Sequence, residues 1–106
     1  MYNTEEKQAI ARTIINQLGF SQSRMKVMIG AKNFVALESG LQFKFVARAK
    51  SGINHMTIKL NGMDTYDVEF WRITKAKFTK KSEHGGMYAD QLKGLFESET
   101  GLYLSL

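Results

Sequence analysis

The side chains with the most evident chemical potential lie between residues 64 and 75. Asp64, Asp67 and Glu69 form a cluster of carboxylates, and Lys75 follows them. Converging carboxylates bind the metal ions of nucleases, which commonly place a lysine shortly after an acid. Here Trp71 occupies the position two residues after Glu69, and Asp64 falls where aspartate serves equally well as a turn residue. We therefore predict that these acids are surface partners of lysines, with no enzymatic activity, no cofactor and no metal site.

The element that would position these groups is a strand at residues 66–73. Alternation places Tyr66, Val68 and Phe70 on a core face. The opposite face then carries Asp67, Glu69, Ile73 and the chain's single tryptophan, Trp71. Any function of this strand therefore depends on what binds or packs against this second face.

Basic residues follow the strand without an acid among them. This run contains Lys75, Lys77, Lys80 and Lys81, interrupted by Phe78. It is consistent with a mobile arm that contacts phosphates, and equally with a solvated hairpin tip or a charged sheet edge that discourages aggregation.

Other strands contribute basic and aromatic residues to the same predicted surface. Strands are expected around residues 25–29, 34–37, 41–48 and 55–61, each with alternating apolar positions. The exposed sheet face would carry Lys26, Met28, Gln42, Lys44, Val46, Arg48, His55, Thr57, Lys59 and Trp71. Such a face suits single-stranded nucleic acid or RNA, because cations meet phosphates while a ring stacks on a base. The alternative is a solvated face on which Asp67 and Glu69 pair with Lys44 or Lys59.

The two histidines offer no diagnostic catalytic spacing. His55 and His84 lie in different segments without a serine, cysteine or acid at a characteristic distance. Residues 82–86, which end in His84-Gly85-Gly86, are expected to form a turn that breaks the preceding run.

Composition restricts the class of protein. The chain has 106 residues, 43% of them hydrophobic and 24% charged, with no cysteine, which predicts one domain stabilised by apolar packing. The formal net charge is +5, which favours an anionic partner. Glu5, Glu6 and Lys7 stand where a signal peptide would be apolar, so a cytoplasmic location without membrane association is expected.

Helices are predicted near both ends. Asn3 and Glu6 suit a capping box, and the stripe of Ile10, Ile14 and Leu18 continues to Gly19. The second helix repeats Tyr88, Leu92, Leu95 and Phe96 at helical spacing before Gly101, and residues 102–106 suggest a short edge strand. We therefore expect residues 1–106 to form a single α+β domain. Its antiparallel sheet would have four to five strands, with an N-terminal and a C-terminal helix packed on one face.

Three stretches resemble a known group of proteins. They are residues 30–34 (Gly-Ala-Lys-Asn-Phe), residues 66–70 (Tyr-Asp-Val-Glu-Phe), and residues 88–103 from Tyr-Ala-Asp to Thr-Gly-Leu-Tyr. These motifs are similar to those of small uncharacterised proteins encoded by bacteriophages and prophages. The resemblance extends from about Ile14 onward and implies a phage or mobile-element origin in a bacterial host cytoplasm. It implies no catalytic residue, cofactor or partner.

The sequence thus favours a non-catalytic accessory protein that binds nucleic acid. The predicted contacts are Lys44, Arg48, Lys59, Trp71, Lys75, Lys77, Lys80 and Lys81. The alternative is a counter-defence or host-takeover inhibitor that acts by protein–protein interaction on a host protein or nucleoprotein complex. An exposed strand edge could also pair two copies into a homodimer.

Overall fold

In the computed structural model, which describes residues 3–19 and 21–103, helices lie on one face of a five-stranded antiparallel sheet. The helices are α1 (Thr4–Gly19), α2 (Gln22–Ile29) and α3 (Leu92–Thr100). The strands are β1 (Lys32–Ala36), β2 (Gly40–Lys44), β3 (His55–Leu60), β4 (Tyr66–Ile73) and β5 (Phe78–Met87). Short 3₁₀ turns occupy Lys50–Gly52 and Ala89–Gln91. The predicted α+β class, with a helix near each end, is confirmed.

Every strand pairs with its neighbour in the sequence, in the order β1-β2-β3-β4-β5. The side chains that alternate toward the helices form one core, in which Phe43, Phe45, Phe70 and Phe96 are completely buried or nearly so. The rings of Phe96 and of Phe45, the residue that follows β2, meet edge to face with their centroids 5.3 Å apart, which joins this part of the sheet to α3. We call the helix-covered side of the sheet the inner face and the opposite side the outer face.

Local capping explains where the first helix begins and where the last helix ends. The Glu6 amide donates to Asn3 Oδ1 at 2.8 Å and the Asn3 amide donates to the Glu6 carboxylate at 3.4 Å, so the predicted capping box is confirmed. At the end of α3, Gly101 adopts the left-handed conformation with φ 74°, and its amide donates to the Glu97 carbonyl. This is a common way for a glycine to end a helix.

The strand predicted at residues 25–29 is wrong, because these residues form α2. Ser21 caps this helix by accepting a hydrogen bond from the Arg24 amide, and Gly30 ends it in the left-handed conformation. Met25 and Ile29, four residues apart, are buried, whereas Val27 is 83% exposed. Met25 and Ile29 therefore lie on the buried face of a short helix, and Lys26 and Met28 do not belong to the outer sheet face.

The turn predicted at residues 82–86 is also wrong, because these residues continue β5. Glu99 of α3 binds the inner side of this strand. Its Oε1 accepts from the Ser82 hydroxyl at 2.7 Å and contacts His84 Nε2 at 2.6 Å. Both contacts lower the pKa of the Glu99 carboxyl, and the hydrogen bond from Ser82 has the larger effect. Gly86, at φ 66°, lies where the β4–β5 register shifts, so the glycines are accommodated at an irregularity of an edge strand.

Two further boundaries differ from expectation. β2 ends at Lys44, so Val46 and Arg48 lie in the loop that follows it. Leu102 and Tyr103 are not part of a strand, and residues 104–106 of the predicted edge strand lie outside the described residues. None of the helices in the described part of the chain is long and apolar enough to cross a membrane.

Candidate nucleic-acid interface

Strand register places one row of polar side chains across the sheet. Lys32 is opposite Lys44, Lys44 is opposite His55, His55 is opposite Trp71, and Trp71 is opposite Lys80. Lys44 and Trp71 alternate with the buried residues Phe43 and Phe70, so they project from the outer face. The row crosses all five strands near the end of the sheet where β3 begins and β4 ends.

Three acid-free stretches of sequence meet at this end of the sheet. Residues 30–37, 40–58 and 70–82 contain no aspartate or glutamate. Together they carry nine basic residues, which are Lys32, Lys44, Arg48, Lys50, Arg72, Lys75, Lys77, Lys80 and Lys81. We call this set the basic end. Two acids from outside these stretches approach it, since Glu69 and Glu83 pair with Lys80 at 3.3 Å and 3.2 Å. Lys50 instead donates to the Ser98 backbone carbonyl of α3 at 3.3 Å.

A cleft of about 450 Å³ opens within the basic end. The side chains of Lys44, Arg48 and Arg72 line it together with the loop that connects β2 and β3. Arg72 Nη1 donates to the Gly52 carbonyl at 3.1 Å, which holds the guanidinium against this loop. The sequence interpretation placed Lys44 and Arg48 at the site but missed Lys32, Lys50 and Arg72, whose proximity depends on the strand pairing.

Asn54 joins the two strands that meet at the basic end. Its side-chain amide donates to the Ile73 carbonyl at 2.9 Å, and its Oδ1 accepts from the Ile73 amide at 2.8 Å. The side chain therefore extends the β3–β4 ladder by one pair. The Nδ1 of His55 lies 2.7 Å from the same Oδ1, and because that oxygen can only accept, Nδ1 carries the hydrogen. Partial burial, reinforced by the nearby Lys44 ammonium, lowers the pKa of His55.

The outer face also contains a groove beside the row. It has a volume of about 300 Å³ and is lined by Leu37, Gln42, Thr57, Lys59, Glu69, Trp71, Ile73 and Phe78. We call it the outer-face groove. Thr57 is 8% exposed and lies at its floor, whereas Phe78 is 71% exposed at its wall. Gln42, Thr57, Lys59 and Trp71 thus occupy the face predicted for them.

The acids of β4 do not pair as the sequence suggested. Glu69 binds Lys80 instead of Lys44 or Lys59, and it also accepts from the Trp71 indole nitrogen at 3.1 Å. Asp67 accepts from the Asn61 side-chain amide at 3.1 Å. The partners differ from the prediction because β5, which carries Lys80, pairs with β4. Lys59, opposite Asp67, lies four register positions from the row and outside the basic end.

The lysine run is a hairpin and not a mobile arm. The Thr74 amide donates to the Lys77 carbonyl at 2.9 Å, which closes the turn that carries Lys75 and Lys77. Lys80 and Lys81 then belong to β5, an edge strand. Lys80 bonds with both Glu83 and Glu69, and these bonds raise the pKa of its ammonium group.

Carboxylates and histidines do not assemble a metal site in the part of the chain that is described. No three His, Asp or Glu side chains there come close enough together to hold a metal ion. Asp64 adopts φ 60° in the loop between β3 and β4, as expected for a turn residue. Ser82 and His84 both bond Glu99 and not each other, which is a strand-to-helix contact and not the arrangement of an activated nucleophile.

Comparison with known proteins adds no relative. No family model, curated protein or solved structure matches the chain. The class that the geometry itself defines is an α+β protein with a five-stranded antiparallel meander, helices on one face and basic residues concentrated at one end of the sheet.

Proposed function

We propose that this protein is a non-catalytic accessory protein that binds nucleic acid through its basic end. The observation that carries the proposal is the convergence of nine Lys and Arg side chains from three acid-free stretches onto one end of the sheet. The whole chain has a net charge of only +5, so the remaining surface is comparatively acidic. A phosphate backbone would therefore meet a local field much stronger than the net charge suggests.

The dimensions of the row support a polyanion as the partner. Neighbouring strands lie about 4.8 Å apart, so the row from β1 to β5 spans about 19 Å. A nucleic-acid strand carries one phosphate per about 3.4 Å of duplex axis, so about five phosphates would fit along the row, whose lysines are Lys32, Lys44 and Lys80. The cleft between Lys44, Arg48 and Arg72 adds a concave position in which a phosphate can accept several hydrogen bonds.

A salt series with matched variants tests the proposal. Binding of short DNA and RNA, as single strands and as duplexes, is measured by fluorescence anisotropy at increasing salt. The double variant Lys75→Gln/Lys77→Gln removes two charges from the hairpin tip without touching the backbone bond that closes it. Because each lost phosphate contact reduces the slope of log K against log salt by about 0.7–0.9, the slope should fall by up to about 1.8.

The control removes the same charge from the helices. Arg12→Gln/Lys93→Gln changes one residue of α1 and one of α3 and should leave the slope unchanged. Absence of binding at low salt, or binding that does not respond to salt, would refute the proposal. An equal effect of the two double variants would show that only net charge matters.

Inhibition of a host protein is the second candidate. It is favoured by two exposed apolar side chains beside the basic end, Val46 at 59% and Phe78 at 71% exposure. A stoichiometric protein partner that persists after nuclease treatment and is lost in Phe78→Ser would support this alternative. The mobile-element setting of either function is supported by the sequence resemblance alone.

A further inference from the structure

The outer-face groove adjoins the row of side chains that crosses the sheet, because the two share one residue. Trp71 belongs to this row, between His55 and Lys80, and it also lines the groove. A chain of phosphates along the row would therefore pass directly beside the groove. A chemical group attached to that chain could enter it.

Trp71 is fixed in place before any ligand arrives. Its indole N–H donates to Glu69 Oε1 at 3.1 Å, and the Lys80 ammonium lies 5.7 Å from the centre of the ring. Lys80 also pairs with Glu69 at 3.3 Å, so the carboxylate in the groove is already offset by a cation. An aromatic ring held this way loses little conformational freedom when another ring stacks on it.

The rest of the lining combines apolar walls with a polar floor. Phe78 is 71% exposed and pairs with Ile73 of β4, so an aromatic side chain remains in solvent at the rim. Gln42 and Thr57 supply hydrogen-bonding groups below. A volume of about 300 Å³ is at the small end of ligand sites, which suits one planar ring system.

We infer that the outer-face groove accepts an unpaired base of a single-stranded nucleic acid whose phosphates lie along the basic end. The inference rests on the proposed function and names its substrate class. A base in a duplex is stacked and paired inside the helix, so it could not enter the groove. The protein should therefore engage a single strand by stacking as well as by charge, and a duplex by charge alone.

The single tryptophan makes the test direct. Intrinsic fluorescence is followed while the protein is titrated with a mixed-sequence DNA strand of about 12 nucleotides, a length within the site sizes of single-strand binders. The same strand annealed to its complement provides the duplex titration. Stacking on Trp71 should quench the emission with the single strand, whereas the duplex should leave it nearly unchanged.

Affinity measurements with variants give an independent result. Phe78→Ala removes an exposed ring and should weaken single-strand binding about tenfold while leaving duplex binding within about twofold. Trp71→Ala should do the same, and Trp71→Phe should retain most of the affinity because it keeps a stacking ring. Val27→Ala, which shortens an exposed apolar side chain on α2, serves as the matched control and should have no effect.

Two kinds of failure can be told apart. If the parent protein binds neither oligonucleotide, the proposed function itself fails. If it binds both in a salt-dependent way but the emission does not change and Phe78→Ala and Trp71→Ala bind the single strand normally, only the groove assignment is overturned. An equal loss of single-strand and duplex binding in these variants would also overturn it.

Discussion

Replacing Asn54 by alanine should loosen the sheet where its basic residues converge. Asn54 makes two hydrogen bonds to the Ile73 backbone, at 2.9 Å and 2.8 Å, and its Oδ1 also accepts from His55. A hydrogen bond contributes about 1 kcal/mol net, and the His55 nitrogen can rebind water, so the expected loss is about 2 kcal/mol in the free energy of unfolding. For a domain of this size, that loss lowers Tm by about 10 °C.

The assay is urea unfolding together with a thermal melt followed by circular dichroism. Asn54→Asp keeps an acceptor for the Ile73 amide but sets a carboxylate oxygen against the Ile73 carbonyl oxygen, so it should cost at least about 1 kcal/mol, the contribution of the lost hydrogen bond. Asn16→Ala, on the exposed side of α1, is the control and should change the free energy by less than about 0.5 kcal/mol. If Asn54→Ala were no more destabilising than Asn16→Ala, the assigned role of this side chain would be wrong.

Two further predictions concern a glycine and a histidine. A Cβ at Gly40 would overlap the Ile58 carbonyl oxygen and lie 2.9 Å from the Lys59 Cα, so Gly40→Ala should destabilise the fold by about 1–3 kcal/mol in a urea titration. The control is Gly94 of α3, where nothing lies within 4 Å of an added Cβ. Gly94→Ala should stabilise the fold by up to about 1 kcal/mol in the same titration. Folding lowers the pKa of His55 from its ordinary value of 6.5. As the pH falls below 6.5, the unfolded chain therefore binds a proton at His55 more readily than the folded chain does, and the free energy of unfolding should fall. His55→Gln should remove this part of the pH dependence in unfolding curves recorded between about pH 7 and pH 5, and an unchanged profile would contradict the assignment.

Long and strongly patterned elements could be predicted from the sequence. The strand at residues 66–73 has the boundaries expected, because its alternation persists over eight residues and its inner side chains are completely or almost completely buried. The capping box of α1 and the glycine that ends α3 are also local signals, set by hydrogen bonds within a few residues. Such features require no knowledge of the rest of the fold.

Helix α2 shows where local pattern is insufficient. Three apolar residues at alternate positions, Met25, Val27 and Ile29, fit a strand, but two of them also fit a helix at a spacing of four. Ser21 and Gly30, which cap the helix at either end, were the signals that could have decided between the two. The burial of Met25 and Ile29 against the sheet then fixes the helix.

The candidate interface was only partly accessible from the sequence for a different reason. Alternation within β2 and β4 correctly placed Lys44 and Trp71 on the outer face, but it cannot say which strands are neighbours. Once β5 pairs with β4, Lys80 reaches Glu69. The pairing of β4 with β3 brings Arg72 to the cleft beside Lys44 and Arg48. The basic end is a property of the register, which depends on tertiary structure.

The uninterrupted strand order also bears on how the protein acquires its structure. Each strand pairs with the one that follows it, so the sheet can grow one hairpin at a time without waiting for distant segments to meet. The packing of α1 against β2 and α3 instead requires segments that are far apart in the sequence to meet. We therefore expect the meander to form early, with the basic end assembled before the helices close over the inner face.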